Sequence, residues 1–295
     1  VKALVTGATG FIGRHLVAHL TRGGWEVTTV RWSNGADQLH QDVQQAAPDV
    51  VFHLAGLTRA AEAPAFYEAN TVLPARLLDV IAHLRQAPVV VLAGSAAEYG
   101  RVPTGAVPVS ESQACHPVTD YGISKYAQTL MGLARAASGM PVVVARIWNA
   151  VGPAMPAHLA LASFATQIAA MPATGGTLQV GNLDVERDFI DVRELVRLLA
   201  ELSQRPGAIG QVINLCSGRY WRLRGLVDHM IALTGRPIDV AVDPARLRPD
   251  ETPVLYGDTA ALRRLGLAPE PPDFDRILPE MLAKAEALRS PPRSA

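Results

Sequence analysis

A chain of 295 residues with 27 basic and 27 acidic side chains carries no formal net charge. That balance excludes the basic surface of a nucleic-acid protein and a polybasic membrane anchor. No run approaches the roughly 20 uninterrupted apolar residues that span a bilayer, so no membrane partner is expected. The sequence opens on an apolar strand-like run, and no signal peptide is expected. Its two cysteines, Cys115 and Cys216, exclude a disulfide framework and make a reduced, cytoplasmic setting the expectation.

In chain order, Val1 to Thr6 predicts a strand, followed by a glycine turn and a helix with Phe11, Ile12, Leu16, Val17 and Leu20 on its apolar face. Further strands are expected at Val27 to Val30, Val50 to Leu54, Val89 to Leu92, Val142 to Ile147 and Val212 to Leu215. Between them, helices are expected over roughly Ala65 to Arg85 and Tyr121 to Ala137, the second entered through a loop holding Pro103, Pro108 and Pro117. Later helices are expected at Leu159 to Ala170, at Asp191 to Leu202 with Asp191 as the N-cap, at Arg222 to Leu233 and around Ile277 to Leu288. Strands apolar on both faces, alternating with helices, indicate an α/β fold: a doubly wound parallel sheet with a smaller C-terminal α/β substrate domain. The expected division gives 1–150 to a dinucleotide-binding domain, with 188–217 returning to it, and 151–187 and 218–295 to substrate.

The turn Thr6-Gly7-Ala8-Thr9-Gly10-Phe11-Ile12-Gly13 spaces its glycines by three between strand and helix. Gly7 permits the tight turn, Gly10 lets a pyrophosphate approach the backbone N–H groups at the helix start, and Gly13 allows close helix packing. At the end of the second strand, where NAD-binding chains usually place a carboxylate for the ribose 2′-OH, this chain has Arg31-Trp32-Ser33. A guanidinium suits a 2′-phosphate, so the expected cofactor is NADP(H).

These residues are joined by His53-Leu54-Ala55-Gly56, Asn70, Ser95 with Glu98-Tyr99-Gly100, Tyr121-Gly122-Ile123-Ser124-Lys125, Arg146-Ile147-Trp148-Asn149 with Gly152-Pro153, and Arg187-Asp188-Phe189-Ile190-Asp191-Val192. Together, up to about residue 265, they resemble the extended short-chain dehydrogenase/reductases, the Rossmann-fold nucleotide-sugar epimerases, dehydratases and reductases. Gly181-Asn182-Leu183-Asp184, and Arg248-Pro249-Asp250 ahead of Leu255-Tyr256-Gly257-Asp258, look most like the branch of GDP-mannose dehydratase and GDP-4-keto-6-deoxyhexose reductase. The resemblance implies a catalytic set of Ser95, Tyr121 and Lys125. It also implies cofactor contacts from Gly7, Thr9, Gly10, Phe11, Ile12, Gly13, Leu54, Ala55, Gly56, Thr58, Asn70, Tyr121, Lys125 and Ile147, with Asp37 at the adenine edge. Relatives pair as dimers through the helices near Leu73 to Leu84 and Tyr121 to Ala137, which makes a homodimer the expectation.

Tyr121 and Lys125 lie four apart and share one helix side. A phenol with an ordinary pKa of about 10 is poorly poised near neutrality, and a nearby ammonium is expected to favour its phenolate. Ser95 resembles the donor that steadies a carbonyl as it becomes an alkoxide. Similar dehydratases carry a glutamate two positions beyond this serine, and similar epimerase/reductases carry a cysteine there. This chain has Ala97, whose methyl can serve as neither acid nor base. Glu98, one step on, is expected to face away and to pack or be solvated if the strand continues. Hydride transfer with Tyr121 as proton donor needs none of the missing groups.

The expected activity is therefore NADPH-dependent reduction of the 4-keto group of a nucleotide-linked 4-keto-6-deoxy sugar. Reduction of a non-sugar ketone such as a polyketide, and nucleotide-sugar 4-epimerisation, remain open alternatives. For the substrate, Ser95, Ala97 and Asn149 are expected at the sheet edge, and Arg187 and Arg248 as clamps on a diphosphate. Arg187 could instead pair internally with Asp188 or Asp191. Trp148, Tyr220 and Trp221 are expected mainly to pack. Cys115 is expected in a solvated loop, His53 to hold the cofactor loop by a hydrogen bond, and no metal site is expected.

Overall fold

In a computed structural model the described residues are 1–30, 35–103, 105–247 and 251–289, with backbone alone for 35–37. The strands are β1 (Lys2–Thr6), β2 (Glu26–Val30), β3 (Val50–His53), β4 (Val89–Ser95), β5 (Val142–Ile147), β6 (Asn149–Val151), β7 (Gly176–Val180), β8 (Glu186–Arg187), β9 (Phe189–Asp191), β10 (Val212–Leu215), β11 (Trp221–Arg222), β12 (Ile238–Val242) and β13 (Val254–Leu255). The helices are α1 (Phe11–Arg22), α2 (Gly35–Ala46), α3 (Ala63–Tyr67), α4 (Leu73–Ala82), α5 (Asp120–Ala137), α6 (Ala160–Ala170), α7 (Val192–Leu202), α8 (Leu223–Ala232), α9 (Ala260–Arg264) and α10 (Phe274–Arg289).

Six strands form a parallel sheet in the order β10-β5-β4-β3-β1-β2. Alternate residues feed two separate cores. Val5, Phe52, Val91 and Val143 pack with Leu195, Leu198 and Leu199 of α7. Leu4, Val51, Val90 and Val144 pack with Leu77, Leu78 and Ile81 of α4 and Leu39 and Val43 of α2. Both sheet faces are therefore covered, which is why the strands read as unbroken apolar runs. This is the doubly wound α/β fold expected from the sequence. The chain leaves β1 for β2 on one side and returns to β3 on the other, which creates a switch point at the carboxyl end of β1, where such folds bind ligands.

A third core joins Leu161, Phe164 and Ile168 of α6 to Leu226 and Met230 of α8 and Ile277, Leu278 and Met281 of α10. The parallel pair β7-β12 covers it. The sequence pattern predicts neither these two strands nor α2. The expected long helix over 65 to 85 is broken: a π-helical turn over Glu68–Val72 separates α3 from α4. That turn carries Asn70, which is completely buried. Asp191 caps α7 as expected, accepting the Arg193 N–H at 2.9 Å.

Candidate active site

The carboxyl ends of β1, β3, β4 and β5 bring the sequence motifs to one edge. At the first, Gly7 has φ +69°, and a Cβ there would lie 2.6 Å from the Ala55 nitrogen. A Cβ on Gly13 would lie 2.1 Å from the Gly7 oxygen, so only glycine lets α1 settle onto the turn. The start of α1 has Gly10 as its N-cap, with no side chain capping it and no acidic residue in the first turn. Its N–H groups and the positive end of its dipole therefore suit an anion. Thr9 and Gly10 are exposed beside Phe11, which is buried. A glycine-rich turn with small side chains, opening onto a helix without a side-chain cap, fits a dinucleotide pyrophosphate.

The loop after β3 is tied to this turn and to α5. Thr6 Oγ1 accepts the Ala55 N–H at 3.3 Å and lies 2.9 Å from His53 Nδ1. His53 thus holds the cofactor loop as expected, and burial pushes its imidazole down to about 3. Asn70 Oδ1 accepts the Leu57 N–H at 2.9 Å, while its Nδ2 donates to Leu57 O and to Ser124 Oγ, each at 3.0 Å. Ser124 Oγ in turn donates to Tyr121 O at 2.8 Å. Gly56 is required beside Asn70, because a Cβ would meet Asn70 Oδ1 at 2.6 Å. Farther out, Thr58 Oγ1 lies 3.0 Å from His158 Nε2, ahead of α6.

Helix α5 is capped by Thr119, which accepts the Gly122 N–H at 3.1 Å. It presents Tyr121 and Lys125 toward the end of β4, where the Ser95 side chain lies close enough to the Tyr121 phenol to act on its proton. Ile147 stands beside Ser95 in the sheet register and is buried. The expected lowering of Tyr121 by the ammonium is not found. Burial pushes the phenol above its ordinary value; the Ser95 side chain pulls it down and the Glu98 charge pushes it up. Lys125 Nζ donates to Gln128 Oε1 at 2.7 Å, and burial lowers the ammonium to about 8. A phenol held in its acid form is matched to giving a proton rather than taking one.

Ala97 is half-buried beside Ser95. Glu98 departs from expectation. The strand stops at Ser95 and a 3-10 turn, Ala96–Glu98, folds the carboxylate back into the protein, where it is completely buried. It accepts the Ser95 N–H at 2.7 Å, the Thr129 hydroxyl at 2.8 Å and the Arg146 guanidinium at 2.9 Å. Cys115 is half-buried against Arg146 rather than solvated. Sequence reasoning missed Glu98 and Arg146 as a pair. The signals were there: Ser95-x-x-Glu98 has the capping-box spacing, and Arg146 is the lone charge in an apolar strand.

Among the substrate candidates, Asn149 is exposed at the start of β6, its Nδ2 donating to Asp188 O at 2.6 Å. Arg187 does pair internally, with Glu251. Its Nη2 donates to Glu251 Oε1 at 3.0 Å, and its Nη1 to Pro253 O at 3.2 Å. Asp191 is taken by Arg193 and Arg276. Asp188 is buried, with Oδ1 accepting from Ser217 N and Oγ and Oδ2 from Gly218 N and Gly257 N. Trp148 packs, 4% exposed, with Nε1 donating to Asn214 Oδ1 at 3.2 Å. Trp221 packs edge-on against Phe274. Arg31 and Arg248 lie outside the described residues, as does the Asp37 side chain. Among the described residues no three His, Cys, Asp or Glu side chains gather to hold a metal, and no helix is long and apolar enough to cross a membrane.

A doubly wound sheet with a glycine cradle and a Ser-Tyr-Lys set at its carboxyl edge defines a dinucleotide-dependent oxidoreductase. The model of the NAD dependent epimerase/dehydratase family matches residues 3–216, and the chain belongs to that family. It is 32% identical over 274 residues to the GDP-6-deoxy-D-mannose reductase of Pseudomonas aeruginosa, covering 88% of this chain and 89% of that protein. It is 30% identical to the dTDP-6-deoxy-L-talose 4-dehydrogenase (NAD(P)(+)) of Kitasatospora kifunensis, covering 85% of this chain and 84% of the relative. Among solved structures, RMD from Pseudomonas aeruginosa complexed with NADPH superposes with a TM-score of 0.87 at 28% identity, covering 98% of each chain. The UDP-glucose 4-epimerase of Brucella ovis in complex with NAD gives 0.83 at 26% identity, covering 96% of this chain and 98% of that one.

Proposed function

We propose that this protein is an NADPH-dependent ketoreductase acting on the 4-keto group of a nucleotide-linked 4-keto-6-deoxy sugar. The observation that carries the reading is the Ser95–Tyr121 pair beside Ala97. Proton donor and oxyanion partner are together, while the position two beyond the serine carries a methyl that can remove no carbon-bound proton. NADPH, when bound, supplies the hydride. Tyr121 gives its phenolic proton to the substrate oxygen, and Ser95 donates a hydrogen bond to that oxygen as charge develops on it. Lys125 would hold the nicotinamide ribose by its ammonium, Asn70 fixes the loop that carries Gly56 and Thr58, and Gly7 and Gly10 would receive the pyrophosphate, with Gly13 seating α1 on the turn. Arg31 is assigned to the 2′-phosphate.

Residues 1–150 with 188–217 serve the cofactor in this reading, and 151–187 with 218–295 serve the sugar nucleotide. Asn149 meets the sugar, and Arg187 with Arg248 meets the diphosphate. The named activities of the Pseudomonas and Kitasatospora relatives support the substrate class. The chain is further proposed to act as a homodimer through α4 and α5. Ile123 and Leu130, one stripe of α5, are 42% and 50% exposed.

The test is the loss of nicotinamide absorbance when the protein meets NADPH and a GDP- or dTDP-linked 4-keto-6-deoxyhexose, with product identified by NMR. Reduction to a single 4-hydroxy epimer is expected. Turnover of aromatic polyketides alone, or interconversion of UDP-hexose epimers without net NADPH loss, would overturn the assignment.

A further inference from the structure

We propose that Glu98 is a positioning residue of this site: by accepting the Ser95 N–H, with Arg146 and Thr129 fixing its carboxylate, it sets the orientation in which the Ser95 hydroxyl meets Tyr121 and the substrate oxygen. The inference rests on the ketoreductase reading for its kinetic consequence, but its structural half stands on the geometry alone.

The geometry is closed on every side. Glu98 Oε1 takes the Ser95 N–H at 2.7 Å, and Ser95 Oγ takes the Ala97 N–H at 3.2 Å. The two bonds form a reciprocal capping box around the last residue of β4. With one lone pair engaged by Ala97, the serine hydroxyl is left one direction for its proton and one for a second contact. Oε2 is held from two further elements, by Thr129 of α5 at 2.8 Å and by Arg146 Nε and Nη2 of β5 at 3.1 and 2.9 Å. Arg146 is itself stacked over the Tyr99 ring, 4.4 Å from its centroid. Gly94 makes room for this arrangement, since a Cβ there would lie 2.7 Å from Glu98 Oε1.

Stability alone does not account for the pair. A buried ion pair is costly to desolvate, and apolar residues of similar volume often serve a fold equally well or better. The pair is bonded directly to the Ser95 backbone, Glu98 taking its N–H while Arg146 holds the other carboxylate oxygen. Arg146, Cys115, Tyr99, Thr129, Lys125 and Tyr121 surround the carboxylate from β5, the loop ahead of α5, the turn after β4, and α5. Its negative charge opposes loss of the Tyr121 proton and favours the Lys125 ammonium. Both effects keep the site in the state needed for reduction.

The test compares Glu98→Gln and Glu98→Asp with the parent in the NADPH complex. Tyr121 is titrated by NMR on isotope-labelled tyrosine, with Tyr121→Phe for assignment. In Glu98→Gln the Tyr121 midpoint is expected to fall, and kcat to drop by about tenfold to a hundredfold with KM little changed, as for a misplaced donor. Glu98→Asp keeps the charge but shortens the arm, so the midpoint returns while kcat stays low. A folded Glu98→Gln protein with the parent's kcat overturns the inference, whatever its Tyr121 midpoint. Should Glu98→Gln not fold, the paired Glu98→Leu, Arg146→Met variant replaces it. A parent-like kcat in that variant overturns the inference equally. If the parent reduces no keto sugar, the ketoreductase reading fails, while the Ser95 amide-proton shift in Glu98→Asp still decides the role of Glu98: a shift equal to the parent's overturns it.

Discussion

Lys125 Nζ donates to Gln128 Oε1 at 2.7 Å, and Gln128 Nε2 donates to Ala93 O at 3.1 Å, so the ammonium is tethered through a neutral amide to β4. Its ordinary value of 10.5 falls to about 8 because burial disfavours the charge. Below that pH the ammonium is present to hold the ribose; above it the group is neutral. The rate of keto-sugar reduction should therefore decline as pH rises through about 8, well before the phenol of Tyr121 ionises. Lys125→Arg, whose guanidinium does not titrate in this range, should lose that limb whatever its absolute rate. Initial rates across the neutral and alkaline range check this, and a limb shared by both proteins would assign the titration elsewhere.

Arg187 bonds Glu251 at 3.0 Å with both side chains largely buried, at 16% and 20% exposure. A diphosphate gripped by Arg187 must compete with that carboxylate. Arg187→Met should raise KM for the nucleotide sugar by about tenfold to a hundredfold, the worth of one or two charged hydrogen bonds, with kcat nearly unchanged. Glu251→Gln should lower KM, since the arginine is then released more easily. An unchanged KM in Arg187→Met would move the diphosphate away from this arginine.

The sheet was readable because its strands are apolar on both faces and separated by helices of clear period. The break at Glu68–Val72 was not, because a π turn leaves the apolar spacing of Leu73, Leu77, Leu78 and Ile81 intact. Among the described side chains of α2, Leu39 and Val43 are the buried apolar ones, too few to mark a face among its glutamines. That Tyr121 and Lys125 share one side of α5 was legible from their spacing, but their protonation was not. The effect of an ammonium on a phenol depends on what else the ammonium touches and how far both are from water, and neither Gln128 nor the depth of the pocket is written in a four-residue interval. Glu98 was misjudged for a local reason: the pleat rule places it outward only if the strand runs on, and the strand ends at Ser95.

Gly13 tests the cradle. A methyl there overlaps the Gly7 oxygen at 2.1 Å, so Gly13→Ala must push α1 off the turn. A cost of about 1–3 kcal/mol is expected, together with a loss of NADPH affinity greater than the stability change alone explains. Gly225, in α8, has no atom within 4 Å of the place a methyl would occupy. Gly225→Ala should leave affinity intact and gain roughly 0.5–1 kcal/mol. Denaturant unfolding and nicotinamide fluorescence titration measure the two quantities separately.

His53 tests the link between the cofactor loop and acid stability. Burial, with a smaller push from Lys125, takes its imidazole from 6.5 down to about 3. The folded protein therefore holds it neutral, with Nδ1 at 2.9 Å from Thr6 Oγ1, while the unfolded chain binds a proton below about 6.5. In that window the unfolded state carries the extra proton, so stability falls as pH drops, by about 1.4 kcal/mol per pH unit from this residue. His53→Asn keeps an acceptor near the Nδ1 position and has no proton to bind. It should be less stable than the parent at neutral pH, yet lose stability more slowly on acidification, so that the gap narrows toward the acid end of the window. Urea unfolding of both proteins at several pH values measures the two slopes; parallel slopes would mean that the folded protein accommodates a charged imidazole at this position.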